Sequence, residues 1–259
     1  MTALDAEGIR ALSSCGELYS IEVFPVLDST NRVARELAEN GAPEGLVILA
    51  EQQTRGRGRL GRSFYSPLGS GIYMTLLLRP RFSPDRAASV TTYAAVAAAR
   101  AVERITGLSV AVKWVNDLFV NGKKLCGILA EAALDTEGKR LSYVALGIGI
   151  NVTETAFPEE LVPIATSIEG ACGRRIDRNL LVAELLSELS PLLSGELPTG
   201  YMDEYRERNL VLGREVTVVS GDVRFHAFAK YIEDDGNLIV SLEDGSERRI
   251  VAGDVSLRL

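Results

Sequence analysis

The feature that most constrains the fold is a pair of consecutive hairpin signals between residues 108 and 152. Asn121-Gly122 separates two apolar stretches, and this dipeptide is typical of a two-residue hairpin turn because both of its positions need positive φ. A second turn, DTEGKR at residues 135–140, leads into LSYVALGIGINV. Strands joined by such short turns pair antiparallel. We therefore predict an α+β fold, in which helices pack on a mixed, largely antiparallel sheet.

Helix and strand signals alternate along the chain before these hairpins. Residues 83–85 (SPD) are typical of a helix start, and small apolar residues then recur at 3.6-residue spacing until Gly107. Residues 28–39 have the capping residues and apolar spacing of a second helix. Apolar runs at 46–52 and 71–80 predict strands on either side of a polar segment.

The pattern changes near Leu210, where short alternating strands are separated by turn sequences rich in Asp and Gly. We therefore predict two domains, residues 1–209 and residues 210–259. The second would be a small β-barrel-like unit of about 50 residues, which is too small to be very stable alone. We expect it to dock on the first domain.

Charge and composition exclude several functional classes. A net charge of −7 argues against a general nucleic-acid binder, whose surface is basic. The sequence has no apolar run long enough to span a membrane and no signal-peptide pattern at its start, so we expect a cytoplasmic protein with no membrane or nucleic-acid partner. Three irregularly spaced cysteines form no disulfide framework or zinc pattern. The single histidine, His226, makes a histidine-based triad or a multi-histidine metal site improbable.

The most informative polar segment is QQTRGRGRLGR at residues 52–62, called the Arg–Gly loop below. Its glycines let the backbone approach a ligand closely, and its arginines present planar forks for carboxylate or phosphate. Residues 56–61 match G-x-G-x-x-G. However, no helix follows directly, as dinucleotide binding requires, and no protein-kinase motifs accompany the match. We interpret the loop as an anion-binding segment that is mobile until its ligand arrives.

Three further polar clusters lie at turns or strand ends. Residues 113–117 (KWVND) combine a lysine, an amide and a carboxylate, which suits a Mg²⁺–nucleotide site but also fits an ordinary Asx turn. Residues 122–127 (GKKLCG) place lysines where they meet a ligand carboxylate or simply form a solvated hairpin tip. Residues 147–151 (GIGIN) have two glycines in an apolar strand, which indicates close approach by a ligand or another backbone.

The order of these motifs, STN at residues 29–31 followed by QQTRGRGRLGR, KWVNDL, GKKLCGIL and GIGIN, resembles the bacterial biotin protein ligases, or biotin–[acetyl-CoA-carboxylase] ligases. The resemblance covers essentially residues 20–259. Leu60 stands where the family's GRGRRGR motif has an arginine, and Val115 stands where its KWPNDL motif has a proline. The polar residues of both motifs remain.

The resemblance implies a class II synthetase-like catalytic domain followed by a C-terminal SH3-like β-barrel. It implies that biotin and MgATP give biotinyl-5′-AMP and pyrophosphate. A lysine of a biotin carboxyl carrier protein, or of that domain in a biotin-dependent carboxylase, then takes the biotin and releases AMP. ATP and Mg²⁺ would serve as substrate and metal and biotin as substrate, with no tightly bound prosthetic group. A homodimer is also implied.

The resemblance also implies roles for individual residues. Lys124, Arg59 and Asp117 would act in catalysis, and Asp117 would also be a ligand of Mg²⁺. The residues implied for biotin binding are Ser29, Thr30, Asn31, Gln53, Gly56, Arg57, Lys124 and Gly127. The residues implied for nucleotide binding are Arg59, Trp114, Asn116, Asp117 and Asn151. For Trp114, a purely structural place in the core is an equal alternative.

Some family members carry an N-terminal DNA-binding domain and act as repressors. Here about 20 residues precede the first predicted core strand, too few for an independent domain, so we expect no repressor activity. Two other functions remain as alternatives. A lipoate or octanoyl ligase or transferase would share the catalytic fold, but the Arg–Gly loop and the C-terminal β domain favour biotin. A non-enzymatic nucleic-acid module would use the loop arginines, but the acidic net charge argues against it.

Overall fold

Two β-sheets and the helices that cover them form the protein in its computed structural model, which describes residues 3–153, 157–195, 197–220, 223–251 and 253–257. The strands of the first sheet are β1 (Ser20–Phe24), β2 (Leu46–Ala50), β3 (Gly71–Leu78), β4 (Ala111–Lys113), β5 (Asp117–Val120), β6 (Lys123–Leu134) and β7 (Leu141–Asn151). The strands of the second sheet are β8 (Glu215–Ser220), β9 (Val223–Ile232), β10 (Leu238–Ser241), β11 (Glu247–Ile250) and β12 (Asp254–Leu257). The α-helices are α1 (Ala6–Leu12), α2 (Thr30–Glu39), α3 (Ala87–Thr106), α4 (Ile168–Cys172), α5 (Arg178–Leu189), α6 (Pro191–Ser194) and α7 (Tyr201–Glu207).

The first sheet is mixed and largely antiparallel, as the hairpin signals predict. Its strand order is β1-β2-β3-β7-β6-β5-β4. The pairing of β1 with β2 is parallel, and the other pairings described in this sheet are antiparallel. The turn between β5 and β6 places Asn121 at φ 51° and Gly122 at φ 76°, the conformation that this dipeptide was expected to supply. The predicted fold class is confirmed.

Helices cover both faces of the first sheet, and β2 shows this directly because all of its residues are buried. Alternate side chains of a strand point to opposite faces. Val47 and Leu49 accordingly pack in the cluster that includes α3 and α5, whereas Leu46 and Ile48 pack with α2. The many alanines of α3 present little side-chain bulk, so this helix lies close to its neighbours, and 12 of its 20 residues are buried.

The second sheet is antiparallel, with the order β11-β10-β9-β8-β12. The small C-terminal β domain is therefore present. Among the described residues no pairing joins β11 to β12, so the strands form an open five-stranded sheet and not a closed barrel. The boundary between residues 209 and 210 stays a prediction.

Direct contacts join the C-terminal sheet to the rest of the chain. Trp114 Nε1 donates to Gly236 O at 2.9 Å, and Arg206 Nε donates to Ile232 O at 2.8 Å. The peptide bond between Trp114 and Val115 is cis. None of the helices in the described ranges is both long and apolar enough to cross a bilayer.

Candidate active site

A cavity opens between the Arg–Gly loop and the face of the first sheet formed by β3, β6 and β7. The sequence motifs that meet at its walls come from positions as far apart in the chain as Ser29 and Gly149. Of the thirteen candidate residues, the ten that line the cavity are Ser29, Thr30, Asn31, Gln53, Arg57, Arg59, Asn116, Asp117, Lys124 and Gly127.

The floor of the cavity needs glycine because other side chains lie directly on it. A Cβ added to Gly147 would lie 2.1 Å from Asn31 Oδ1. A Cβ added to Gly149 would lie 2.7 Å from the ring of Phe64. The close approach that the GIGIN motif predicts is therefore made, in this structure, by Asn31 and Phe64 of the same chain.

We expect the substitution Gly147→Ala to destabilise the protein and to displace Asn31. The new methyl group would overlap a buried side chain, and overpacking of this kind lowers the free energy of unfolding by about 1–3 kcal/mol. Gly58→Ala is the matched control, since its added Cβ would have nothing nearer than 3.4 Å. Urea unfolding of both variants checks this. Equal stability of Gly147→Ala and the wild type would contradict the packing described.

A chain of polar side chains forms the buried end of the cavity. Asn31 Nδ2 donates to Leu129 O at 3.1 Å, and Asn31 Oδ1 lies 2.7 Å from Thr75 Oγ1. Thr75 Oγ1 also lies 2.8 Å from Thr30 Oγ1, and the Thr30 backbone N–H donates to Gln53 Oε1 at 2.9 Å. Such a fixed set of donors and acceptors suits a small polar ring system more than a purely apolar ligand.

Positive charge gathers at the other end of the cavity. Lys124 Nζ lies 2.7 Å from Asp117 Oδ1, and Arg59 Nη1 donates to Asn116 Oδ1 at 3.0 Å. Burial lowers the pKa of the Arg59 guanidinium, and the carboxylates of Asp117 and Asp254 oppose this shift. A cation that has lost part of its hydration gains strongly from an anionic ligand. This end is therefore suited to carboxylate or phosphate groups.

The Arg–Gly loop folds back on itself over the cavity. Phe64 N donates to Gly56 O at 2.9 Å, and Gly58 N donates to Arg62 O at 2.7 Å. Leu60, at the tip, has a φ of 55° and its side chain is exposed. The expectation that this loop is mobile without ligand stays a prediction.

Three candidate residues lie outside the cavity lining. Gly56 is buried within the loop, where an added Cβ would meet Phe64 O at 2.4 Å, so it permits the loop turn. Trp114 packs in the core with 3% of its surface exposed, as its structural alternative implies, and its assignment to the nucleotide stays a prediction. Asn151 donates from Nδ2 to Thr166 O at 3.0 Å at the end of β7.

Residues outside the predicted set also shape the site. The Phe64 ring packs against Gly127 of β6 and Gly149 of β7. Glu131 Oε1 lies 3.2 Å from Arg57 Nη1. Asp254, from the C-terminal sheet, lines the cavity and pairs with Arg62 at 2.6 Å. Asp254 has no local motif around it, since tertiary docking alone brings it here. Glu131 could have been found, because strand alternation puts it on the same face as Gly127.

We expect the stability contributed by the ion pair between Arg62 and Asp254 to depend on pH. Burial by itself would raise the pKa of Asp254, but Arg62 and Lys113 outweigh burial and hold this pKa below its ordinary value. The ion pair therefore adds stability above about pH 4, the pKa of this carboxyl group in the unfolded protein. The added stability is lost as pH falls through the lower pKa that the group has in the folded protein. Arg62 is largely exposed, so the contribution is about 0–1 kcal/mol.

Urea unfolding of the wild type and Asp254→Asn at several pH values checks this dependence. The wild type should be the more stable of the two at pH 6 to 7, and the difference should disappear by about pH 2 to 3. A difference in the free energy of unfolding that stays constant across this pH range would contradict an ion pair.

The described residues hold no group of three His, Cys, Asp or Glu side chains that could bind a metal by themselves. Asp117 is nevertheless suited to a Mg²⁺ ion that arrives with phosphate, because such sites need only one or two carboxylates. Its Oδ1 atom is buried and faces Lys124 without a well-aligned hydrogen bond. The assignment of Asp117 as a magnesium ligand stays a prediction.

Comparison with known proteins places the chain in a family. Residues 23–151 match the biotin/lipoate A/B protein ligase family, and residues 211–258 match the biotin protein ligase C-terminal domain. The biotin–[acetyl-CoA-carboxylase] ligase of Mycobacterium tuberculosis is 33% identical, over 91% of this chain and 88% of that protein. The bifunctional ligase/repressor of Bacillus subtilis is 35% identical, over 98% of this chain and 84% of that protein.

A solved structure supports the same assignment. The biotin protein ligase of Aquifex aeolicus, in complex with biotin and ATP, superposes with a TM-score of 0.76 at 28% identity, over 92% of this chain and 98% of that one. The motifs on the cavity wall, the two matched domains and this structural likeness agree. The chain therefore belongs to the biotin protein ligases, within the biotin/lipoate A/B protein ligase family.

Proposed function

We propose that the protein activates biotin with MgATP and transfers it to a lysine of a biotin carboxyl carrier protein or domain. The observation that carries this proposal is the polarity of the cavity. Its buried end has the neutral polar side chains of Thr30, Asn31 and Gln53, and its other end has the cationic side chains of Arg59 and Lys124. Biotin has a matching pair of ends, a neutral ureido ring and an anionic carboxylate.

In the first step, a biotin carboxylate oxygen attacks the α-phosphorus of ATP, and the bond from this phosphorus to the bridging oxygen of pyrophosphate breaks. Two anions must approach each other, so the main tasks are positioning and charge neutralisation. Lys124 has the charge to contact both the carboxylate and the α-phosphate. Its partner Asp117, 2.7 Å away, holds it in place and would share the Mg²⁺ that accompanies ATP.

In the second step, the neutral amine of the carrier lysine attacks the acyl carbon of biotinyl-5′-AMP and AMP leaves. This step needs no covalent enzyme intermediate, which agrees with a cavity lined by no histidine or cysteine among the described residues. Arg59, bonded to Asn116, is positioned to cover the adenylate until the carrier arrives. Ser29, Thr30, Asn31, Gln53 and Arg57 would hold the biotin ring system.

The first step is tested by pyrophosphate exchange into ATP. We expect exchange that depends on biotin and on Mg²⁺, and that lipoate does not support. Exchange with lipoate in place of biotin would favour the related lipoate ligase activity. Exchange with neither acid would refute the proposal.

We also propose that the protein is a cytoplasmic homodimer. The supporting observation is that β1 is an edge strand of the first sheet, which leaves one side of its backbone available for pairing with a second copy. Light scattering after gel filtration tests the oligomeric state, and a monomer at micromolar concentration would contradict it.

A further inference from the structure

We propose that Glu131 is a positioning residue for biotin, which sets the direction of the hydrogen bonds at the buried end of the cavity and anchors the Arg–Gly loop through Arg57. This inference rests on the proposed function. Glu131 is in β6, at the side of the cavity and not in its lining, so it acts through other residues.

The Glu131 carboxylate joins three elements of the site. Its Oε2 atom accepts a hydrogen bond from Asn31 Nδ2 at 3.0 Å. Its Oε1 atom lies 3.1 Å from Arg35 Nη1 of α2 and 3.2 Å from Arg57 Nη1 of the loop. The Glu131 side chain is 20% exposed, whereas that of Arg57 is 49% exposed. The less exposed side chain, on a strand of the sheet, therefore ties the more exposed arginine of the loop to the sheet.

The carboxylate also determines which way the Asn31 amide points. An ionised carboxylate only accepts hydrogen bonds, so the nitrogen of Asn31 must face Glu131 and the backbone oxygen of Leu129. Asn31 Oδ1 must then face Thr75, whose hydroxyl donates to it across 2.7 Å. The orientation of the amide is not free, because both neighbours on its nitrogen side are acceptors.

The direction of these hydrogen bonds also determines the role of the Thr30 hydroxyl. The hydroxyl of Thr75 has one proton, which Asn31 Oδ1 accepts across 2.7 Å. The one proton of the Thr30 hydroxyl is then directed at Gln53 Oε1, 3.2 Å away, or at Thr75 Oγ1, 2.8 Å away, and in either case Thr30 Oγ1 keeps a lone pair free. Gln53 Oε1 already receives the backbone N–H of Thr30 at 2.9 Å. Thr30 Oγ1 is therefore presented to the cavity as an acceptor, the group that a ureido N–H of biotin requires.

Glu131→Gln tests the inference because it keeps the size of the side chain and changes its donors and acceptors. A glutamine must turn its NH₂ group either toward Asn31, which reverses the chain of hydrogen bonds, or toward the two arginines, which it repels. We expect the KM for biotin to rise about tenfold or more, since unmatched polar groups strongly penalise binding. We expect kcat and the KM for MgATP to change by less than about threefold.

Glu36→Gln is the matched control. Glu36 pairs with Arg32 on the exposed side of α2, away from the cavity, so the same chemical change should leave the kinetic constants unaltered. Tryptic cleavage after the loop arginines, measured without substrate, reports on the anchoring of Arg57. Cleavage should be about two- to threefold faster in Glu131→Gln than in the wild type or the control.

Two results would overturn the role of Glu131. One is a biotin KM within about twofold of the wild type. The other is a fall in kcat accompanied by equal rises in the KM values for biotin and for MgATP, which would indicate general structural damage. Absence of biotin-dependent pyrophosphate exchange in the wild type would refute the proposed function itself. The comparison of tryptic cleavage rates would then still test whether Glu131 anchors the loop.

Discussion

Replacing Lys124 with methionine should lower biotin-dependent pyrophosphate exchange by about 100- to 1,000-fold, the usual effect of removing one group that stabilises transition-state charge. Methionine keeps most of the length of the side chain and removes its positive charge. Two anions would then approach each other without this cation, and Asp117 would add a third negative charge nearby. The loss should fall on kcat more than on the KM for either substrate.

Lys123→Met is the control for this prediction. Lys123 is the preceding residue of β6, and its Nζ atom donates to Val162 O at 2.9 Å on the exposed side of the strand. The two variants have the same composition, so a difference between them reports on position alone. Similar exchange rates for Lys123→Met and Lys124→Met would show that Lys124 has no special part in adenylation.

Replacing Arg59 with glycine should separate formation of the intermediate from its retention. Arg59 reaches Asn116 from the loop and covers the nucleotide end of the cavity. Without it, biotinyl-5′-AMP should still form, but it should escape about 10- to 150-fold faster, as expected for the loss of one charge-assisted contact of about 1.5–3 kcal/mol. Released intermediate would then label lysines of a bystander protein.

Arg55→Gly removes the same kind of side chain from the same loop but outside the cavity lining, so it is the matched control. Bystander labelling by mass spectrometry compares the two variants directly. If Arg59→Gly retains its intermediate as long as Arg55→Gly does, Arg59 does not seal the site.

The elements that the sequence predicted well are those with local causes. The turn at Asn121-Gly122 and the end of α3 at Gly107, with φ 74°, depend on dihedral angles that these residues adopt easily. The helix after Ser29 begins where the capping residues and the apolar spacing predict, although the Ser29 side chain makes no capping hydrogen bond there. Such signals act within a few residues, so the sequence alone is sufficient to read them.

The features that sequence reasoning missed depend on contacts between distant segments. Trp114 is in a polar motif, but its indole N–H is satisfied by Gly236 of the C-terminal sheet, and no local pattern indicates that pairing. Asp254 reaches the cavity only because the second sheet docks beside the loop. The ten candidates that do line the cavity came from the order of several motifs and not from any single one.

The most direct test of the central claim is transfer of labelled biotin to a biotin carboxyl carrier domain by the purified protein with MgATP. We expect label on the carrier lysine that survives denaturation, depends on ATP and is absent when that lysine is replaced with arginine. No transfer of biotin, together with transfer of lipoate under the same conditions, would contradict the account.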